Sequence, residues 1–128
     1  MKYSELSEAI QSNSFQNLCN DFAIFTSMNM MMVSKYAIDQ NAANELKSMQ
    51  QQFRSPAVNG KTFHDVIGDR AFMNNPKGRG ALLNYIYQMI KYIEPRINKF
   101  VNDEGKKLYL PRFQKIKQQY IDLVNKQQ

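Results

Sequence analysis

Apolar residues recur along this chain at spacings of three, four and seven, the period of a helix rather than the two-residue alternation of a half-buried strand. The densest pattern begins at Phe15. Phe15, Leu18, Phe22, Phe25, Met32 and Tyr36 form one stripe, and Cys19, Ala23, Met30, Val33 and Ala37 form a second beside it. Two stripes on one helix bury more than half its circumference, so the pattern predicts a central apolar helix over about 14–38. Upstream, Ser4 suits the cap of a short helix over 5–12 carrying Leu6, Ala9 and Ile10, with Ser12-Asn13-Ser14 as a break and new cap. Downstream, Ile38, Ala42, Leu46, Met49 and Phe53 continue the spacing. One helix from 14 to 53 would be about 60 Å long, too long for a compact domain of this size. A break is therefore expected at Asp39-Gln40-Asn41, with Asp39 or Asn41 as cap.

Residues 54–61 carry Pro56 and Gly60 and read as a loop. A short helix is expected over 63–73, closed by Asn74-Asn75-Pro76, with Pro76-Lys77-Gly78-Arg79-Gly80 as a flexible connection. A long helix then starts near Ala81 on Leu82, Ile86, Met89, Ile90, Ile93 and Ile97. Pro95 within it predicts a kink or restart, because proline removes a backbone donor and clashes with the carbonyl of Lys91. Asp103-Glu104-Gly105 reads as its end. Pro111 reads as the first turn of a last helix with Leu110, Phe113, Ile116, Tyr120, Ile121 and Val124 as its stripe, and 125–128 as a fraying tail. The expectation is a single all-α domain over 1–128: a compact bundle of five or six helices around the 14–38 segment.

Composition fits this picture. Hydrophobic residues make up 43% and charged residues 22% of 128, ordinary globular usage that argues against disorder. The single cysteine, Cys19, allows no intramolecular disulfide and fits a reducing compartment. The opening MKYSELSEAI lacks a continuous apolar core, so no secretory signal is expected. The most apolar window, 22–38, is interrupted by Thr26, Ser27, Asn29, Ser34 and Lys35, and falls short of the roughly 20 apolar residues of a membrane span. A soluble cytoplasmic protein is expected.

Charge changes the picture further. The net charge is +6, but residues 1–60 hold four basic residues against five acids, whereas 61–128 hold thirteen against six. A basic half suggests an anionic partner. Lys91, Arg96, Lys99, Lys106, Lys107, Arg112, Lys115 and Lys117 fall off the apolar stripes, with tyrosines between them, a pattern suited to neutralising phosphates or carboxylates. Lys77, Gly78, Arg79 and Gly80, just before a helix, form a candidate anion loop. Met28, Met31 and Met32 belong to a methionine-rich run, SMNMMMV, whose consecutive side chains point in different directions, so that at least one can face a partner.

Catalytic constellations are sparse. Gly60-Lys61-Thr62 ends like a nucleotide loop, but the first glycine of that motif is replaced by Ser55, and a helical pattern precedes it instead of a strand. Thr62 is better read as a helix cap, with Asp65 in the manner of a capping box. His64 and Cys19 are the only imidazole and the only thiol, too few for a zinc site, and no cofactor motif is present. A cysteine–histidine nucleophile pair would require the two to meet in a cleft. The sequence therefore points to a non-catalytic binding protein, its basic C-terminal surface docking on nucleic acid or an acidic protein face. The alternative is a protein-directed regulator (inhibitor, immunity protein or assembly adaptor) binding through the methionine run, with a homo-oligomer as one form of it.

Overall fold

The computed structural model describes the backbone of residues 3–126 and the side chains of residues 13–125. Among the described residues six α-helices follow one another: α1 (Tyr3–Ile24), α2 (Gln40–Phe53), α3 (Phe63–Val66), α4 (Arg70–Asn74), α5 (Pro76–Phe100) and α6 (Asp103–Lys126). The all-α expectation holds, with no strand among the described residues. α6 packs along both α1 and α5, α2 lies against α5, and α4 folds back on α5. Phe22 of α1, Phe63 of α3 and Tyr85 of α5 meet at the centre, with Phe22–Phe63 and Phe63–Tyr85 ring centroids 5.0 and 5.4 Å apart.

The expected central helix is divided. α1 runs through Ser12-Asn13-Ser14 without a break, so the separate helix over 5–12 is its beginning. The side chains of Ser4, Leu6, Ala9 and Ile10 lie outside the described residues. α1 stops at Ile24, where a π-turn (Phe25–Asn29) and then a 3-10 turn (Val33–Tyr36) take over. Two hydroxyls compete for backbone carbonyls at this point. Thr26 Oγ1 donates to the Phe22 carbonyl at 3.0 Å and Ser27 Oγ to that of Ala23 at 2.6 Å, the carbonyls their own amides would otherwise use. The Met30 amide reaches five residues back, to the Phe25 carbonyl at 2.9 Å. Phe15, Leu18, Cys19, Phe22, Phe25, Met30 and Val33 are buried as the stripes predict. Met32 is not, because the turn shifts the helical phase.

The break before α2 falls where expected. Asp39 caps it, its Oδ1 accepting the Ala42 amide at 2.7 Å, and Ala42, Leu46, Met49 and Phe53 form its buried face. The helix expected over 63–73 is two short ones. Thr62 caps α3, accepting the Asp65 amide at 3.2 Å, and Asp69 caps α4. In the preceding loop Asn59 and Gly60 take φ of 54° and 72°, the left-handed region that favours glycine.

Two stop signals prove to be start signals. Asn75 Oδ1 accepts the Lys77 amide at 2.8 Å and Pro76 occupies the first helical position, so α5 begins there and the expected flexible connection is its first turn. Asn102 Oδ1 likewise accepts the Gly105 amide at 2.9 Å, so Asp103-Glu104-Gly105 opens α6 and does not close α5. Pro95 and Pro111 sit inside α5 and α6, on exposed positions. Gly105 is buried: a Cβ there would lie 2.6 Å from Tyr36 Cβ. The junctions before α2 and before α6 are joined by Asn102 N–H to the Tyr36 carbonyl at 2.7 Å and Ile38 N–H to the Phe100 carbonyl at 2.9 Å. Asn125 remains helical, and the last two residues of the expected tail lie outside the described residues.

Candidate functional site

The turn between α1 and α2 presents its methionines unequally. Met30 is fully buried, whereas Met28 and Met31 expose 67% and 52% of their surface and Met32 42%. The backbone beneath them is tied down. Gln50, on α2, donates its side-chain amide to the Met30 carbonyl at 2.9 Å and also to the Met31 carbonyl. The Met30 carbonyl also accepts the Val33 amide at 3.2 Å, and the Gln50 carboxamide adds a tie from the neighbouring helix to both carbonyls. Gln50 from one side and the Thr26 and Ser27 hydroxyls from the other fix the turn, so flexible apolar side chains stand on a constrained backbone.

Beside this turn runs α6, antiparallel to α1. Gln119 donates to Asp21 at 2.9 Å and Arg112 Nη1 donates to Asn29 Oδ1 at 2.9 Å, which sets the register. Leu108, Arg112 and Lys115 share one face of α6 at four- and three-residue spacing. Leu108 is itself 47% exposed. Between the π-turn and α6 lies a cleft of about 170 Å³ walled by Ile24, Phe25 and Ile116, with Arg112 and Lys115 at its rim and Asp21 and Asn29 on the opposite side.

The other basic candidates are dispersed. Lys117 faces α5, where its Nζ lies 3.0 Å from Glu94. Arg112 and Lys117 therefore point to opposite flanks of α6. Arg96 stacks on Tyr92 at 3.7 Å and donates Nη1 to the Tyr92 carbonyl at 2.9 Å. Lys91 lies over Tyr87 and Lys99 over Phe100. Tyr87 in turn stacks on Tyr120 at 5.9 Å. Lys107 is exposed and Lys106 half-buried. The eight side chains thus spread along α5 and around α6.

The candidate anion loop is the first turn of α5. Arg79 donates Nε to the Met73 carbonyl at 3.0 Å and lies over the Phe15 ring, beside a cavity of about 250 Å³ that Arg70 also lines. Lys77 and Gly80 are exposed, and Gly78 is buried against the Phe72 carbonyl.

The two nucleophile candidates are in unlike places. Cys19 is fully buried in the core, and burial pushes its thiol up to about 12, so it keeps its proton at neutral pH. His64 is exposed and lines a cavity of about 180 Å³ together with Thr26, Arg54 and Thr62. Among the described residues no three His, Cys, Asp or Glu side chains cluster as a metal site would need, and no helix is long and apolar enough to cross a membrane.

Sequence reasoning missed Gln50, Ile24 and Leu108, and it kept the methionines and the α6 cations as separate sites. The available signal was that Ile24 and Leu108 are apolar yet fall off every stripe. No protein-family model, curated protein or solved structure matches this chain.

Proposed function

We propose that this protein is a non-catalytic, protein-directed binding module, and that the methionine turn is its contact surface. The observation that carries the reading is the pairing of exposed Met28 and Met31 with a backbone held by Gln50. Large apolar side chains grouped on a surface cost solubility, and such groups mark contact sites more often than scattered single residues do. Methionine adapts its shape to a partner with little strain, and a pinned backbone lowers the ordering cost of binding.

Basic residues along α5 and α6 support an acidic character for the partner. Nucleic acid is the weaker reading. The Tyr87 and Tyr120 faces are taken up by each other and by Lys91, and Lys117 is occupied by Glu94. The test compares the wild type with Met31→Lys, both confirmed as folded by circular dichroism, in pull-downs from the native cell with and without nuclease. The expected result is a protein captured by the wild type despite nuclease and lost with Met31→Lys. Capture that nuclease abolishes, or that survives Met31→Lys, overturns the reading.

A further inference from the structure

We infer that the cleft between the π-turn and α6 accepts an acidic amphipathic helix of the partner, an apolar side chain entering beside Ile24 while carboxylates on the flanking turn meet Arg112 and Lys115. The inference rests on the protein-docking reading above and adds the chemistry of what docks. Three features of the surface specify the occupant. Its floor is apolar, made by Ile24, Phe25 and Ile116, and its volume of about 170 Å³ suits one aliphatic or aromatic side chain. Ile24 is itself 48% exposed and Met28, four residues further along the chain, 67%, with Met31 and Met32 exposed in the same turn, so further apolar side chains are offered close by in the chain. Its rim is cationic on the α6 side.

Arg112 spends one of its five donors on Asn29, an anchor that orients the guanidinium plane. A fork held in place this way suits bidentate recognition of a carboxylate. Lys115, one turn further along α6, is exposed. Asp21 borders the same cleft and accepts a bond from Gln119 at 2.9 Å; its single negative charge offsets one of the two cations there and leaves the other in excess. Apolar anchors three and four residues apart with carboxylates beside them are the signature of a helix laid in a groove.

The same features disfavour other occupants. A second copy would bring Arg112 and Lys115 toward the cations of another molecule with net charge +6. A nucleic acid strand gains nothing from an apolar floor. A bilayer presents a smooth face that leaves a notch of this kind unfilled.

The probe is a synthetic helix-forming peptide of about 16 residues, with leucines at helical spacing and glutamates on the flanking positions. It is compared with a twin whose glutamates are lysines. Binding to the full chain is followed by fluorescence anisotropy at two salt concentrations, and the contact is mapped by amide shifts in NMR. The glutamate peptide is expected to bind at Met31, Met32 and Arg112, and the lysine twin at least tenfold more weakly. Arg112→Glu with Lys115→Glu should weaken the first and strengthen the second, and Met31→Lys should weaken both.

Equal binding of the two peptides at this surface overturns the acidic partner and leaves the docking reading standing. Binding sensitive to charge reversal but indifferent to Met31→Lys overturns the docking reading itself. Absence of binding by both overturns the inference, as does Met31-dependent sedimentation with phosphatidylserine vesicles, which would assign the surface to lipid.

Discussion

Two alanine substitutions of the same kind should have opposite signs. Gly105 stands in the first turn of α6 against Tyr36, where an added methyl would lie 2.6 Å from Tyr36 Cβ and 3.0 Å from Cγ, and would also strike Val101. Carbon atoms pack best at about 3.5–4.0 Å, so α6 or the 3-10 turn must retreat by about 1 Å. The obstructing atoms sit at the root of the tyrosine and cannot swing aside as a side-chain tip would. Overpacking of this kind costs about 1–3 kcal/mol, against which the better helix propensity of alanine returns less than about 1 kcal/mol at a helix start. The net loss of about 1–2 kcal/mol should lower the melting temperature by about 4–8 °C in a domain of this length.

Gly80, in contrast, is exposed on α5, and nothing lies within 4 Å of where its Cβ would be. Gly80→Ala should therefore stabilise by about 0.5–1 kcal/mol, raising the melting temperature by a few degrees. Thermal melts by circular dichroism on the three proteins read both effects. A Gly105→Ala protein as stable as the wild type would refute the argument that α6 needs a bare backbone to seat against Tyr36.

Gln50→Ala removes the donor to two turn carbonyls and should cost about 1–2 kcal/mol, with faster hydrogen exchange confined to residues 30–36 while the helices keep their protection. Asp39→Ala removes the α2 cap and should cost about 1 kcal/mol in urea unfolding, with Asp39→Asn or Asp39→Ser recovering most of it. Cys19 should resist a thiol reagent at neutral pH until the protein unfolds. Its thiol titrates near 9.0 when unfolded and is pushed up to about 12 by burial, so the unfolded chain ionises first and stability should fall as pH rises between those values. Tyr85, Tyr109 and Tyr120 are raised chiefly by burial and add to the same alkaline loss, which Cys19→Ala should reduce only in part in a pH series of urea melts.

The elements that could be read from the sequence are those whose apolar spacing is long and uninterrupted. The buried faces of α2 and α5 and the caps Asp39 and Thr62 follow from local chemistry alone. Errors gathered at glycine and proline. Pro76 and Gly105 read as chain breaks because both residues interrupt helices in isolation. Here proline sits at a helix start, where its missing donor costs nothing, and Gly105 is needed for the approach of Tyr36, which lies 69 residues away in sequence. The end of α1 was missed for a related reason. Thr26 and Ser27 are weak helix formers, but only a structure shows their hydroxyls competing for the carbonyls behind them. Gln50 left no signature, since an exposed-looking glutamine on a polar helix face is indistinguishable from its neighbours until the turn it holds is folded against it.

The candidate surface joins residues from the first quarter of the chain to residues near its end. A ribosome-bound chain that has emerged only through α2 would already carry Ile24, Met28 and Met31, yet would have neither the guanidinium nor the wall that Ile116 supplies. On the proposed reading, recognition of a partner must await synthesis of α6. A prematurely terminated product would present oily side chains without the means to select among binding targets, which makes such fragments more suitable as chaperone clients than as competitors of the finished protein.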